Sequence, residues 1–350
     1  MFDPATQWLG APITLWLIFA AVVIALLAFD LGVLHRKDRA ISVRESLYLS
    51  AFYITAGLLF GLFVAFQRGT EAGTLYVTGF LVEKTLAMDN VFIIAMIFSW
   101  LAIPREYQHR VLFWGILGVV ILRGIMIGAG AALVSNFSWI LLIFAVFLVF
   151  TGIKILLTSG SDDQPKESAA LSWLRSKLPV TEQLHGNAFF VRQQISRDGP
   201  AKLFVTPLFV ALIAIELADL VFAVDSIPAI FAITTDPFIV YTSNIFAILG
   251  LRALYFALAA TMHRFRYLKF SLAAVLIFIG GKVIVADLAG VEKIHPFISL
   301  TVTIALLAAG VLYSLCRTAK EERIDAGNAD TEAISKPVHI GQHLNKEGNT

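Results

Sequence analysis

Residues 216–231 read ELADLVFAVDSIPAIF, with three carboxylates, Glu216, Asp219 and Asp225, inside an apolar run that extends from 203 to 233. The run is long enough for a membrane-spanning helix, which needs about 20 residues. Yet each charge at a bilayer centre costs roughly 2.5–3.5 kcal/mol on the insertion scale. Composition decides in favour of the membrane: 58% of the 350 residues are hydrophobic and 15% charged, against about 45–50% and 25% in soluble domains. The acids are therefore kept in a membrane for a purpose. A net charge of +2 is too near neutral to suggest a nucleic-acid surface. The single cysteine, Cys316, excludes an internal disulfide and a cysteine-built metal centre.

Working outward from that stretch, nine helix-length apolar segments lie at about 12–30, 44–66, 74–102, 109–134, 137–157, 203–233, 237–261, 268–288 and 296–316. None has the short alternating pattern of a membrane barrel strand, so the fold class is an all-α polytopic membrane protein. Basic residues follow the first segment (Arg36, Lys37, Arg39) and none precedes it, the reverse of a cleavable signal peptide. They recur in alternate loops: Arg105 and Arg110, then Lys166 through Lys202, then Arg264, Arg266 and Lys269. The opposite loops hold only Arg68 and Lys293. The positive-inside rule then places the N-terminus outside and the C-terminus in the cytoplasm, and the lack of an organellar presequence makes a bacterial inner membrane the expected location.

The chain also repeats itself. LVEKTLAMDN from Leu81 aligns with LADLVFAVDS from Leu217, matching Glu83 to Asp219, Asp89 to Asp225 and Asn90 to Ser226. GILGVVILR ending at Arg123 aligns with NIFAILGLR ending at Arg252, and FLVFTGIK ending at Lys154 with VLIFIGGK ending at Lys282. Each copy covers three segments, an odd number, so the second copy enters the membrane from the opposite side. Inverted-topology repeats of this kind build many secondary transporters, with a site near the midplane between the halves.

The acids, Asn90, Ser226 and nearby carbonyls offer oxygen donors, and neither motif contains His or Cys. Such a set suits Mg²⁺, Ca²⁺ or Mn²⁺ rather than zinc or copper. At about 100° per residue, Glu83 and Asn90 nearly share a face, whereas Glu216 and Asp225 fall on opposite sides of an unbroken helix. Pro228, which cannot donate to the carbonyl of Val224, predicts a break that would reconcile them. The basic residues Lys84, Arg123, Lys154, Arg252 and Lys282 balance these acids, as expected if the charges pair inside the bundle. On that reading some of them only lock helices together. Asp30 is expected at the cytoplasmic interface. The glycines, among them Gly118, Gly152 and Gly280, are assigned to close helix packing.

EKTLAMDN, ELADLVFAVDSIPAIFAITTDPFIVYTSNIFAILGLRALYF and FDLGV with its basic sequel resemble the TerC family of integral membrane proteins, in particular its Alx-type members, over about residues 25–315. The resemblance implies manganese efflux and an association with tellurite resistance. It also implies a cation site at Glu83, Asp89, Asn90, Glu216, Asp219, Asp225 and Ser226. It does not extend to the C-terminal tail.

The expected organisation is an extracytoplasmic N-terminus (1–11), two helices (12–72), the first repeat (73–157), a cytoplasmic loop (158–202), the second repeat (203–289), a last helix (290–317) and a disordered tail (318–350). Within the loop, residues 168–178 are expected to form a short interfacial helix and residues 187–205 a hairpin around Asp198 and Gly199. The expected function is export of Mn²⁺ as transported substrate by alternating access, with no cofactor and no enzymatic activity. Asp89 and Asp225 would be direct ligands backed by Asn90 and Ser226. Glu83, Glu216 and Asp219 would be further ligands or proton acceptors. Arg123 and Arg252 would neutralise whichever acids are unoccupied. No phosphate-binding G-x-x-x-x-G-K-[ST] motif is present, so the energy is expected from an ion gradient, with proton exchange. Two other readings stand beside this one. One is a membrane scaffold that handles metal or stress without turnover. The other is an intramembrane aspartyl protease using Asp89 and Asp225, against which neither stands in a G-x-G-D context.

Overall fold

The computed structural model describes residues 7–34, 42–137, 139–158, 179–181, 183–194, 202–258, 268–289 and 295–335. Among them the chain runs β1 (Gln7–Trp8), β2 (Ala11–Pro12), α1 (Ile13–Leu34), α2 (Val43–Arg68), α3 (Thr70–Trp100), α4 (Arg105–Asn136) and α5 (Ile140–Thr158). It continues through β3 (Phe190–Gln193), β4 (Lys202–Val205), α6 (Pro207–Phe231), α7 (Pro237–Leu249), α8 (Leu251–Leu258), α9 (Leu268–Ala289) and α10 (Pro296–Ser335).

Local chemistry sets the boundaries that position the site. Ser42 caps α2 by accepting from the Glu45 amide at 3.3 Å. Gly69, at φ +94°, ends α2 and lets α3 start at the next residue, a conformation that a side chain would strain. Asp236 caps α7, accepting from the amides of Phe238 and Ile239, with Pro237 in the first turn where its missing N–H is harmless. Its other oxygen pairs with Arg68 of α2 at 2.7 Å.

Among the described residues, seven helices (α1, α2, α4, α5, α6, α9 and α10) are long and apolar enough to cross a membrane, or eight if α7 and α8, bent by 40°, count as one span. The continuous span expected at 237–261 is therefore broken, at Gly250. α3 falls outside this count although it has 31 residues, because every 18-residue stretch of it contains at least three Asp, Glu or Lys. It lies instead inside the bundle, packed on α2, α6, α7 and α10. The break expected at Pro228 is not formed: α6 runs through it to Phe231. The proline falls in the final turn, where one missing donor hardly matters to a helix about to stop.

Contacts between the two triplets are reciprocal: α3 crosses α6, α4 packs on α6, α3 packs on α7 and α8, and α5 lies along α9. The α5–α9 seam is close because Gly152 faces Ile277 and the Ala273 carbonyl while Gly280 faces the Ala145 carbonyl. One aromatic cluster, with Phe19, Phe60, Tyr76, Phe80, Phe238 and Phe246, joins α1, α2, α3 and α7. The perimeter is apolar, with Leu17, Phe66 and Leu157 at 64%, 80% and 81% exposure, while Glu83, Lys84, Arg123, Asp219 and Arg252 are buried. Charge inside and hydrocarbon outside is the pattern of a chain surrounded by lipid.

The expected hairpin forms as an antiparallel pair, Phe190 opposite Val205 through Gln193 opposite Lys202. The interfacial helix proposed for 168–178 and the Asp198–Gly199 turn lie outside the described residues. The tail departs from expectation: α10 continues as helix to Ser335, and 336–350 lie outside the described residues.

Candidate functional site

Arg123 of α4 is the largest fully buried side chain, at 1% exposure. All three of its nitrogens donate. Nε gives to Asp219 Oδ2 at 3.0 Å and Nη2 to Asp219 Oδ1 at 2.9 Å, a two-pronged grip on one carboxylate. Nη1 gives to Glu83 Oε1, to Ser226 Oγ at 3.1 Å and to Asn244 Oδ1 at 3.2 Å. Asn90 Nδ2 adds a longer bond to Asp219 Oδ1 at 3.4 Å. One guanidinium thus ties α4 to α3, α6 and α7.

Helix periodicity explains why these acids meet. Glu83 and Asn90 are seven residues apart on α3, as are Asp219 and Ser226 on α6, so each pair is separated by only about 20° around its helix. Both pairs face the α3–α6 crossing. Glu83 and Asp219, matched in the repeat, therefore arrive at the same arginine. The side chains of Asp89 and Asp225 lie outside the described residues. Their helix positions are about 100° away from Asn90 and Ser226.

Glu216 is near this centre but not in it. With α6 unbroken, it and Asp225 stay on opposite sides of the helix. Its carboxylate lies over Gly118 of α4, where a Cβ would strike both oxygens. Gly118 is thus more than a packing glycine: it makes room for a carboxylate. Glu83 Oε2 and Glu216 Oε2 are buried and accept no hydrogen bond from the described residues. They are the free oxygen donors of the region, hard ligands of the kind a divalent cation takes. No group of three or more His, Cys, Asp or Glu among the described residues is arranged to hold a metal ion.

The other basic residues separate. Arg252 of α8 reaches neither repeat acid. Its Nη2 pairs with Asp30 of α1, which also accepts from the Tyr53 hydroxyl at 3.0 Å. Asp30 is buried at 5% exposure, held in the bundle by this ion pair and phenol, and it is the last residue of the apolar span Ile13–Asp30. Lys84 donates to the Ala247 carbonyl at 2.9 Å. Lys282 donates to Ser299 Oγ at 2.9 Å, whereas Lys154, its repeat counterpart, is exposed. The charge-pairing role expected of Lys154 is therefore not seen.

Asn244 is the site residue that sequence reasoning passed over. The signal was present: in the repeat register Asn244 stands where the first copy has Gly115, an amide alone in an apolar segment.

A family model described as the integral membrane protein TerC family matches residues 68–322, more than half of the chain. An uncharacterized membrane protein of Rickettsia bellii is 48% identical over 302 residues, covering 86% of this chain and 97% of its own. An uncharacterized membrane protein of Myxococcus xanthus is 45% identical over 317 residues, covering 91% and 96%. A protein of Photorhabdus laumondii, named as a proposed membrane-bound redox modulator Alx, is 44% identical over 287 residues, covering 79% and 88%. No solved structure matches the chain.

Proposed function

Because the chain belongs to the TerC family of integral membrane proteins, we propose that it transports a divalent metal cation across a bacterial inner membrane, exporting Mn²⁺ by alternating access in exchange for protons. The observation that carries this reading is the convergence of Glu83 and Asp219 from separate triplets on one buried arginine. A purely structural ion pair has no need of register-matched acids from two halves, with Asn90 and Ser226 matched as well. Two residues that an approximate two-fold axis exchanges come together only near that axis. The reciprocal packing of the triplets supports nine spans, α3 among them, built around two inverted three-helix repeats. The N-terminus is then outside and the C-terminus in the cytoplasm.

In this mechanism Arg123 holds the unloaded acids. An arriving cation takes Glu83 and Asp219, with Asn90 and Ser226 beside them, and displaces the guanidinium. Asp89 and Asp225, one residue earlier on each helix, supply the adjoining ligands, and Glu216 supplies a ligand or proton acceptor over Gly118. Exchange of a compensating charge for the substrate keeps the interior near neutrality throughout, which low-dielectric surroundings require. The test is Mn²⁺ flux in proteoliposomes with internal pH recorded, comparing the wild type with Asp225→Asn. Flux that disappears in the variant, with an opposite pH change in the wild type, supports proton-coupled transport through Asp225. Absence of flux from folded wild-type protein overturns it.

A scaffold without turnover is the second reading. It is favoured by the way Arg123 already pairs with Glu83 and Asp219, with no multi-carboxylate cage among the described residues. Saturable Mn²⁺ binding with no flux is its signature in the same experiment.

A further inference from the structure

Lys84 adjoins Glu83 in sequence but takes no part in the Arg123 centre. Its side chain is 7% exposed, and its ammonium donates to the Ala247 carbonyl of α7 at 2.9 Å. Among the described residues no carboxylate lies within ion-pair distance of it. Burying an ammonium without an acid is unfavourable unless other dipoles replace its water. The place where it ends supplies such dipoles.

Ala247 lies in the last turn of α7, which stops at Leu249, bends by 40° and resumes as α8 at Leu251. Last-turn carbonyls lack intrahelical donors, and the end of a helix carries the negative pole of its dipole. Gly250 occupies the bend, and a Cβ there would lie 2.8 Å from Lys84 Nζ and 2.9 Å from Tyr53 Cβ. The missing side chain is therefore what admits the ammonium. A buried bend, a negative helix end and a freed carbonyl that the ammonium already contacts together resemble the surroundings that hold a small monovalent cation in an interrupted membrane helix.

We propose that the bend between α7 and α8 is a monovalent-cation site that this chain keeps filled with the ammonium of its own Lys84. The consequence goes beyond the transport reading and does not depend on it. A fixed positive charge at the bend stabilises the broken helix without any free Na⁺ or K⁺. In its absence, the Ala247 carbonyl and the negative end of α7 accept one from solution.

The test uses the full-length chain purified in detergent, so its outcome is separate from that of any flux assay. Thermal unfolding of the wild type and Lys84→Ala is compared in chloride salts of choline, Na⁺, K⁺ and n-propylammonium at equal ionic strength, and in 1-propanol. The wild type is expected to be indifferent to the cation. Lys84→Ala is expected to gain about 2–4 °C in Na⁺, K⁺ or n-propylammonium relative to choline, because binding to the folded state alone raises its stability. Equal unfolding temperatures of the variant in all four salts overturn the proposal. So does a rise in 1-propanol as large as in n-propylammonium, which would mean that a hole and not a charge was filled. If Lys84→Ala is recovered only as aggregate, the yield of monodisperse protein in the same solutions decides in the same way. Lys84→Gln keeps the length and a donor while removing the charge, and an unfolding temperature equal to the wild type's also overturns it.

Discussion

Arg123 and Arg252 end the same nine-residue segment in the two halves of the chain, yet their surroundings differ. Arg123 bonds through every nitrogen and holds carboxylates from both halves. Arg252 holds Asp30 of α1, a helix outside either repeat, and its Nη1 is buried with no hydrogen-bond partner among the described residues. The difference follows from the helices that carry them. Arg123 lies midway along an unbroken α4 that packs on α6, whereas Arg252 begins the short α8 just beyond the Gly250 bend. The two arginines occupy matching positions in the aligned segments, but Arg252 lies beyond the bend, apart from the centre. One became the partner of the candidate substrate ligands and the other a tether for α1.

Removing the arginines in turn is the strongest way to break this contrast. Arg123→Met leaves Glu83 and Asp219 buried and uncompensated, which costs about 3–5 kcal/mol when one partner of a buried pair is lost, and Mn²⁺ flux is expected to disappear. Arg252→Met strands only Asp30, so folded protein from that variant is expected to retain flux even though its unfolding temperature falls. Thermal unfolding and flux measured on both variants check this. Loss of flux from well-folded Arg252→Met protein, equal to that of Arg123→Met, would erase the distinction.

A smaller effect sharpens the same contrast from the Asp30 side. Tyr53→Phe deletes the hydroxyl that donates to Asp30. A hydrogen bond to a charged group contributes about 1.5–3 kcal/mol, so unfolding should move down by that amount with flux unchanged. A matched probe beside the centre is Gly118→Ala, whose Cβ meets the Glu216 carboxylate. Overpacking of this kind costs about 1–3 kcal/mol, and here flux should fall as well, because the displaced group is a candidate ligand. Unchanged flux in Gly118→Ala would remove Glu216 from the pathway.

Much of this centre was legible in the sequence because charges in apolar segments have few explanations. Glu83, Asp219, Asn90, Ser226 and Arg123 were identified by register and charge, and they do meet. The site's internal arrangement was less legible. Asp89 and Asp225 draw attention as the acids shared by both motifs, but helix periodicity sets Glu83 and Asp219 on the face that reaches the arginine. The position of the helix break was misread for a physical reason. A proline is visible in any sequence, yet in the final turn of α6 it disturbs little. Gly250 resembles any packing glycine until Lys84, distant along the chain, is seen to fill the space where its side chain would be. The partners of Asp30 were not legible, because Tyr53 and Arg252 come from helices whose packing no periodicity reveals.

The smallest effects are expected at the third pair of repeat positions, the lysines. Lys282 donates to Ser299 and so joins α9 to α10, whereas Lys154 of α5 is exposed. Lys282→Met should therefore lower stability by about 1 kcal/mol, the net contribution of one hydrogen bond. Lys154→Met should change it by less than about 0.5 kcal/mol, as for most exposed positions. Neither should alter flux. Chemical denaturation of the two variants side by side checks the order. An equal loss at both positions would mean that the repeat's symmetry persists at its third helix. The divergence of the halves would then be confined to the arginines, where the bend at Gly250 separates them.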